Sequence, residues 1–335
     1  MDRRLARHRP GLGVVMPGFQ PRGMSTGIHR RELLSTVVGA ATAALWPWHA
    51  RAQEGKTKLI LLGTGGGPRP RKASSASAQV ILINGTPYVV DCGDGVARQL
   101  VFADVPLSEL RHIFLTHQHS DHNADYGNLL WLAWTAGLRT RVDTWGPPPL
   151  AKMTRLFFEM NAFDIKTRTA DERRVPLAPL VHVHELRRAG IVVKDENVAV
   201  TAALVDHPPM VPAFAYRFDA RDRSIVISGD TARSDNLVKL ARGADVLVHT
   251  ATYLPALDRL VARVPNAASL KRSILAGQTS VEDAGRVAQA AGVKTLVLSH
   301  LIPADDPAVT DQMWVDAART TFGGSIIVAK DLMVL

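Results

Sequence analysis

One short stretch of the chain gathers residue types that bind metal ions. His117, His119 and His122 contribute three imidazoles, and Asp121 contributes a carboxylate, within six consecutive positions. Side chains two positions apart in an extended chain point the same way, so His117 and His119 can face one ion. Asp121 and His122 follow where the chain turns, and they can face a second ion. Imidazole and carboxylate ligands suit zinc, and also manganese or iron. The alternative, a histidine-rich solvated loop, does not require this HxHxDH spacing.

The flanking residues indicate where this stretch lies in the fold. The apolar run at residues 113–116 predicts a buried strand, and residues 128–134 predict a helix. The histidine-rich stretch therefore lies on a loop at the carboxyl end of a strand. Ligands bind at that end of the strands in open α/β folds.

Other metal-binding residue types lie at further predicted strand ends. Apolar runs that predict strands are followed by, or end in, His207, Asp230, His249 and His300. Gly229 precedes Asp230 and allows the backbone to approach the site closely. The two carboxylate oxygens of Asp230 can bridge two ions, so these residues and the HxHxDH stretch are candidates for one shared site.

Three motifs resemble those of the metallo-β-lactamase superfamily, and of its ribonuclease Z branch in particular. Residues 62–66 read LGTGG, residues 91–100 read DCGDGVARQL, and residues 249–252 read HTAT where that branch has HEAT. The resemblance extends over nearly the whole chain after residue 52. It implies an α/β fold, a four-layer αββα sandwich with mixed sheets, over residues 53–335. Residues 141–197 fit no motif and are expected to form a cap or arm insertion.

The resemblance also implies a ligand set for two zinc ions per chain, with manganese or iron as alternatives. The first ion is expected to bind His117, His119 and His207, and the second Asp121, His122 and His300, with Asp230 as the bridge. No other cofactor is expected. The implied chemistry is ester hydrolysis by a metal-activated water.

Three further residues receive roles from the same resemblance. Asp91 is expected to orient a ligand from behind the metal site. Asp121 is a candidate to hydrogen-bond the nucleophile, and His249 is a candidate proton donor to the leaving group. Thr250 replaces the glutamate that orients this histidine in the ribonuclease Z branch, so the tuning of the pKa of His249 is in question. A second H-x-H pair, His182 and His184, has no carboxylates at ligand spacing and predicts surface or pocket-rim histidines.

The first 52 residues resemble a twin-arginine export signal. Arg30 and Arg31 precede a moderately apolar run over residues 33–46, and Ala50 and Ala52 supply the small residues of a cleavage site. The apolar run is shorter than the ~20 residues that a membrane-spanning helix needs, so no stable membrane anchor is expected. This pattern predicts recognition by the twin-arginine machinery, cleavage after Ala52 and a periplasmic location. An amphipathic tail is the alternative, and Met24 is a candidate start.

Charge and cysteine content limit the partners. The net charge is +9, but residues 1–52 hold eight arginines against two acidic residues, leaving 32 basic and 29 acidic groups. That balance of +3 argues against nucleic acid, and export argues against precursor tRNA. The lone Cys92 excludes an intramolecular disulfide.

These observations lead to an expectation about the substrate. We expect an exported di-metal hydrolase that cleaves a small ester, and an aryl sulfate is the preferred substrate class. The second choice is a phosphodiester, the substrate of a ribonuclease Z-like nuclease. Lactones and β-lactams stay open. A periplasmic metal-binding protein without turnover is the non-enzyme alternative, although all seven ligand positions are filled. The sequence gives no interface for the homodimer that the resemblance allows.

Overall fold

Two seven-stranded sheets form the centre of the protein. The computed structural model describes residues 56–335, and the leader prediction therefore lies outside the described residues. The first sheet has the strand order β14-β1-β2-β3-β4-β5-β6, and its strands are β1 (Lys58–Gly63), β2 (Ala78–Ile83), β3 (Thr86–Val90), β4 (His112–Phe114), β5 (Val142–Gly146), β6 (Val181–Glu185) and β14 (Met333–Val334).

The second sheet has the strand order β13-β12-β11-β10-β9-β8-β7. Its strands are β7 (Gly190–Lys194), β8 (Val198–His207), β9 (Met210–Ala220), β10 (Ser224–Ile227), β11 (Val246–Thr252), β12 (Thr295–Ile302) and β13 (Ser325–Val328). Each sheet contains both parallel and antiparallel pairs: β3, β4, β5 and β6 pair in parallel, as do β10 to β13, and the other pairs are antiparallel. Both sheets are therefore mixed, as predicted.

Helices cover the outer faces of the two sheets. The α-helices of the described residues are α1 (Val96–Phe102), α2 (Ser120–Asn123), α3 (Tyr126–Thr135), α4 (Leu150–Met160), α5 (Ala162–Asp171), α6 (Asp235–Ala241), α7 (Leu257–Val261), α8 (Ala267–Gly277), α9 (Val281–Ala291) and α10 (Asp311–Arg319). The helix predicted after the HxHxDH stretch is α3. Within residues 56–335, no helix combines the length and the apolar character needed to cross a membrane.

Three apolar layers hold the four structural layers together. Side chains from both sheets, including Phe114 and Phe218, pack into one cluster between the sheets. A second cluster joins the first sheet to α1 and α3, and a third joins the second sheet to α6, α9 and α10. The order is helix, sheet, sheet, helix, so the predicted αββα sandwich is confirmed.

Hydrogen bonds tie the two sheets together next to the HxHxDH stretch. The backbone N–H of Phe214, on β9, donates to the carbonyl of Thr116 at 2.9 Å. The hydroxyl of Tyr216, on the same strand, donates to the carbonyl of Leu115 at 2.8 Å. Buried backbone groups need hydrogen-bond partners, so these bonds are kept. They therefore fix the position of the start of the loop after β4 relative to the second sheet.

The segment predicted as a cap or arm, residues 141–197, belongs largely to the sheets. Its strands β5 and β6 extend the first sheet, and β7 forms the edge of the second sheet. Outside the sheets, the segment holds α4, α5 and a short 3-10 helix at Ala178–Leu180. The prediction was too broad because β6 and β7 are short and partly exposed, so their sequences lack the continuous apolar run of a buried strand.

The inter-sheet cluster generates a stability prediction. Phe114 is fully buried, and its ring centroid lies 5.3 Å from that of Phe218 in an edge-on contact. We expect Phe114→Ala to lower the free energy of unfolding by about 3–5 kcal/mol, because the cavity stays open between two rigid sheets. Chemical denaturation measures this loss. The matched control is Phe163→Ala, whose ring is 88% exposed and whose loss should stay within about 0.5 kcal/mol. An equal loss of unfolding free energy in the two variants would contradict the stabilising role of the cluster between the sheets.

Candidate metal centre

The structure brings the predicted ligands together in two adjoining clusters. The three-histidine cluster consists of His117, His119 and His207, and each ring offers one nitrogen within 4.8 Å of the others. The Nδ1 atom of His119 lies 3.0 Å from Nε2 of His117 and 3.0 Å from Nε2 of His207. The three nitrogens therefore converge on one point, which is the arrangement that a tetrahedral zinc site requires of its protein ligands.

The mixed cluster consists of Asp121, His122, Asp230 and His300, all of them buried. The short helix α2 begins after His119 and turns the chain, so that Asp121 and His122 face a different point from His117 and His119. The Nε2 atom of His300 lies 3.1 Å from Oδ2 of Asp121. Ligands from the first sheet and from the second sheet therefore meet here.

Asp230 lies between the two clusters. Its Oδ2 atom is 3.8 Å from Nε2 of His207 and 3.3 Å from Nε2 of His300, and its Oδ1 atom is 3.4 Å from Nε2 of His122. Gly229 makes this approach possible, because a Cβ there would lie 2.8 Å from the Cβ atom of Thr116 and its backbone has a φ of 60°. One carboxylate thus faces ligands of both clusters, which is the geometry of a bridge.

Asp91 orients His122 from behind. Its Oδ2 atom accepts a 2.7 Å hydrogen bond from Nδ1 of His122, and its Oδ1 atom accepts one of 2.8 Å from the backbone N–H of Thr116. Nδ1 of His122 therefore donates to Asp91, and this bond turns Nε2 of the ring toward Oδ1 of Asp230. Asp91 is fully buried and has a positive φ of 61°, a strained backbone that the surrounding contacts hold in place.

A β-bulge aims His300 at the site. Thr250 pairs with Ser299 and Ala251 pairs with Leu301, so His300 is the extra residue on β12, and its φ is 46°. Bulges of this kind redirect side chains next to active sites. Gly66 makes room for the bulge, because a Cβ on Gly66 would lie 2.8 Å from Nδ1 of His300. A glycine at position 66 of the LGTGG motif is therefore needed to avoid a steric clash with His300.

Burial and charge set the protonation of the ligands in opposite directions. Burial lowers the pKa of His117 well below its usual value, and it also lowers the pKa of His119, so both rings are neutral. For His122, burial alone would lower the pKa, but the carboxylates of Asp230, Asp91 and Asp121 raise it well above its usual value. The mixed cluster is therefore a place of concentrated negative charge.

The residues fit a metal ion by a test that does not depend on the motif. Nε2 of His122 and Oδ1 of Asp230 are buried side-chain atoms that make no hydrogen bond with the described residues. Leaving a buried polar atom unsatisfied costs about 1–3 kcal/mol. Both atoms belong to the mixed cluster, and a cation there would satisfy both of them at once. Two groups of candidate metal ligands are thus present, with all seven predicted residues in them.

His249 belongs to neither cluster of candidate ligands. It is fully buried, and its Nδ1–H donates a 2.8 Å hydrogen bond to the carbonyl of Thr250. Along β11, Leu247 and Ala251 pack in the cluster that faces the helices, and side chains alternate along a strand, so His249 faces the helices as well. Burial lowers its pKa to about 4. The predicted role as proton donor is therefore not supported by this geometry, and Thr250 is the residue that faces the site.

A pocket of about 370 Å³ opens beside the clusters. Ligand residues of both clusters line its floor, and residues near α7 and α8 line one wall with apolar side chains, namely Leu260, Val264, Leu270, Ile274 and Ile302. Arg69 and Arg71, which follow the LGTGG motif, also line the pocket. Gln278 also lines the pocket, and its amide donates a 2.6 Å hydrogen bond to Oδ2 of Asp230. No sequence motif marks Gln278, because its role depends on where α8 ends.

The second H-x-H pair lies apart from the two clusters. His182 is exposed, and Nε2 of His184 lies 2.6 Å from Oδ1 of Asp143. The His184 ring stacks on Trp145 at a centroid distance of 5.1 Å. Neither histidine belongs to a group of candidate metal ligands among the described residues.

Comparison with known proteins agrees with this site. Residues 86–301 match the family described as the Beta-lactamase superfamily domain. Curated relatives include a protein named Ribonuclease Z from Mycobacterium bovis (strain BCG / Pasteur 1173P2), which is 32% identical over 82% of this chain and 96% of that relative. A protein of the same name from Mycobacterium sp. (strain KMS) is 34% identical over 82% of this chain and 94% of that relative.

Solved structures of low sequence identity share the fold. The metallo-beta-lactamase fold protein YhfI from Bacillus subtilis aligns with a TM-score of 0.62 and 22% identity, covering 83% of this chain and 98% of that chain. Human tRNase Z, short form, aligns with a TM-score of 0.61 and 23% identity over the same shares of the two chains. These likenesses support the αββα architecture.

The comparisons correct the prediction about partners. Relatives named Ribonuclease Z match over most of the chain, so the expectation that nucleic acid is unlikely, and with it the small-ester substrate, was wrong. The error came from net charge, which averages over the whole chain. Arg69 and Arg71 line the pocket, and the exposed Lys72, Arg263 and Arg272 each adjoin a pocket-lining residue in the sequence.

The assignment of an aryl sulfate as substrate also finds no support among these relatives. The match to the family, the relatives and the two clusters support a metal-dependent hydrolase that acts on ester bonds. The chain belongs to the metallo-β-lactamase superfamily.

Proposed function

We propose that the protein is a zinc-dependent phosphodiesterase that cleaves RNA, in the manner of a ribonuclease Z-like nuclease. The observation that carries the proposal is the set of seven candidate ligands, six of them gathered around Asp230, in a chain whose relatives are named Ribonuclease Z. Two ions held by these ligands would supply positive charge to a phosphate and lower the pKa of water toward neutrality.

The residues of the chain position the ions from several sides. The backbone N–H of Gly67 donates a 2.9 Å hydrogen bond to Oδ2 of Asp121, and Nδ1 of His207 donates one of 2.6 Å to the carbonyl of Gly277. Each bond fixes the orientation of one ligand side chain and leaves its other atoms free for a cation. With Asp91 behind His122, ligands of both clusters are held before any ion arrives.

The pocket supports a nucleotide as the bound unit. Arg69 and Arg71 supply positive charge at one rim, where phosphate oxygens accept hydrogen bonds from guanidinium groups. Asp305 lines the same part of the pocket and offsets some of that charge. The apolar wall on the α7–α8 side offers a surface for a sugar and a base, which suits single-stranded RNA better than a duplex. A pocket of this volume lies within the usual range for small-ligand sites.

The first experiment tests cleavage and metal together. We expect the purified protein to contain two zinc ions per chain and to cleave a single-stranded RNA extension. We expect His119→Ala to lower kcat/KM by more than about 100-fold, because removing a metal ligand costs more than removing a residue that only supports a ligand. Gel analysis of labelled RNA measures cleavage, and elemental analysis measures zinc. His182→Ala, at the exposed H-x-H pair, is the matched control. Intact RNA with two bound zinc ions would refute the proposed substrate, and absent zinc would refute the proposed centre.

The role of Asp91 is tested by removing one partner. We expect Asp91→Ala to weaken zinc binding about 10- to 100-fold, because His122 loses the acceptor that fixes its tautomer. Competition with a chromophoric chelator measures the dissociation constants. Asp143→Ala is the comparison, since Asp143 also contacts a histidine, His184, but outside the clusters. Equal zinc affinity for Asp91→Ala and the wild type would contradict the role.

Export is a separate proposal that does not depend on the reaction. We expect residues 1–52 to direct the protein through the twin-arginine route, with cleavage after Ala52. Replacing both arginines with lysine, Arg30→Lys with Arg31→Lys, should retain the precursor in the cytoplasm, because the paired guanidinium groups mark the route. Cell fractionation and the mass of the mature protein measure the outcome. Unprocessed wild-type protein in the cytoplasm would contradict export.

A further inference from the structure

The end of α8 contacts ligands of both clusters. The carbonyl of Gly277, the last residue of the helix, accepts a hydrogen bond from His207, and the amide of the next residue, Gln278, donates one to Asp230, each at 2.6 Å. Two consecutive residues thus support a ligand of the three-histidine cluster and the bridging carboxylate. The first contact uses the backbone, and the second uses a side chain that mutation can remove.

Gln278 makes a second contact at its oxygen. Its Oε1 atom accepts a 2.7 Å hydrogen bond from the hydroxyl of Thr250. The Oγ1 atom of Thr250 lies 3.3 Å from Nδ1 of His300. A hydroxyl has one proton to give, and Thr250 gives it to Gln278, so its oxygen acts as the acceptor toward His300. Nδ1 of His300 therefore carries a proton, and Nε2 presents its lone pair to the mixed cluster.

These contacts form one directed chain of hydrogen bonds. It runs from His300 to Thr250 and on to Gln278, whose amide N–H then reaches Asp230. Both ends of the chain are residues of the mixed cluster, whereas only Asp230 also faces the three-histidine cluster. Thr250 is 2% exposed, so water does not replace a lost partner there, and removing Gln278 leaves a buried hydroxyl with its donor proton unpaired.

We infer that Gln278 is a positioning residue for the ion of the mixed cluster. Through Thr250 it selects the tautomer of His300 that can bind a cation, and through its amide nitrogen it fixes the rotation of Asp230. Thr250 stands where the ribonuclease Z branch has a glutamate, but its hydroxyl contacts Gln278 and His300. This inference rests on the proposed two-ion centre and adds a residue that no motif of the chain marks.

The test compares zinc affinities of variants that break the chain at two points. Gln278→Leu removes both polar atoms at similar size, and Thr250→Val removes the hydroxyl at the same shape. We expect each variant to raise the zinc dissociation constant of one ion about 10- to 100-fold and that of the other ion by less than about threefold, because His207 keeps its backbone partner. Chelator competition on the full-length protein measures both constants.

Two further variants serve as controls. Thr250→Ser keeps the hydroxyl and should restore affinity to within about threefold of the wild type. Gln312→Leu removes an exposed glutamine on α10 whose amide donates to Asp316 at 2.7 Å, a contact of the same kind as that between Gln278 and Asp230, and it should leave both constants unchanged. Thermal unfolding in the presence of a chelator shows whether each variant folds without zinc.

The double variant Gln278→Leu with Thr250→Val distinguishes a chain from two independent contacts. Because either substitution breaks the same chain, the double variant should lose little more affinity than the single ones. The inference would be overturned if the losses of zinc affinity in the two single variants multiplied in the double variant. It would also be overturned if both single variants kept the wild-type dissociation constants, or if both ions were bound equally more weakly. A wild type that binds no zinc would overturn the two-ion centre as well, whereas two tightly held ions in every variant would overturn this inference alone. If Gln278→Leu fails to fold, the comparison of Thr250→Val with Thr250→Ser decides.

Discussion

The structure depends on a buried carboxylate that is surrounded by imidazoles. Asp230 is 3% exposed, and its two oxygens face His207, His300 and His122 at 3.3–3.8 Å. Burial alone would raise the pKa of Asp230, but the neighbouring His300 and His122 rings hold it well below its usual range. A buried charge of this kind is stable only where paired charge is close and fixed. The face-to-face packing of the two sheets brings these imidazoles to the carboxylate of Asp230.

That constraint explains why the inter-sheet bonds lie directly beneath the site. The loop after β4 carries four ligands, while His207, Asp230 and His300 follow or lie near the ends of strands in the other sheet. A displacement of one sheet against the other would separate the two groups. The bonds from Phe214 and Tyr216 to the backbone just before His117 oppose this displacement. The packing of the two sheets thus determines the distances between the seven candidate ligands.

The sequence predicted the architecture and the seven residues that the structure brings together, because these residues lie at or after predicted strand ends in a chain with the motifs of one superfamily. It could not predict which face of a strand a histidine takes, and His249 was misplaced for that reason: one position along β11 separates the helix-facing side from the site-facing side. Gln278 was missed because its role arises from the end point of α8. The cap prediction failed where short edge strands carry no clear pattern. Net charge misled the substrate prediction because the two arginines that line the pocket, Arg69 and Arg71, are a small part of the total.

The position of α8 links two properties that sequence motifs treat as separate. Leu270 and Ile274 on this helix form part of the apolar wall of the pocket, and the residues at its end contact His207 and Asp230. A bound molecule that presses on the wall therefore acts on the same rigid element that orients the ligands. The same helix therefore contributes both to the shape of the pocket and to the orientation of the candidate ligands. Substitutions on the wall of α8 that change substrate preference would for this reason also change metal affinity.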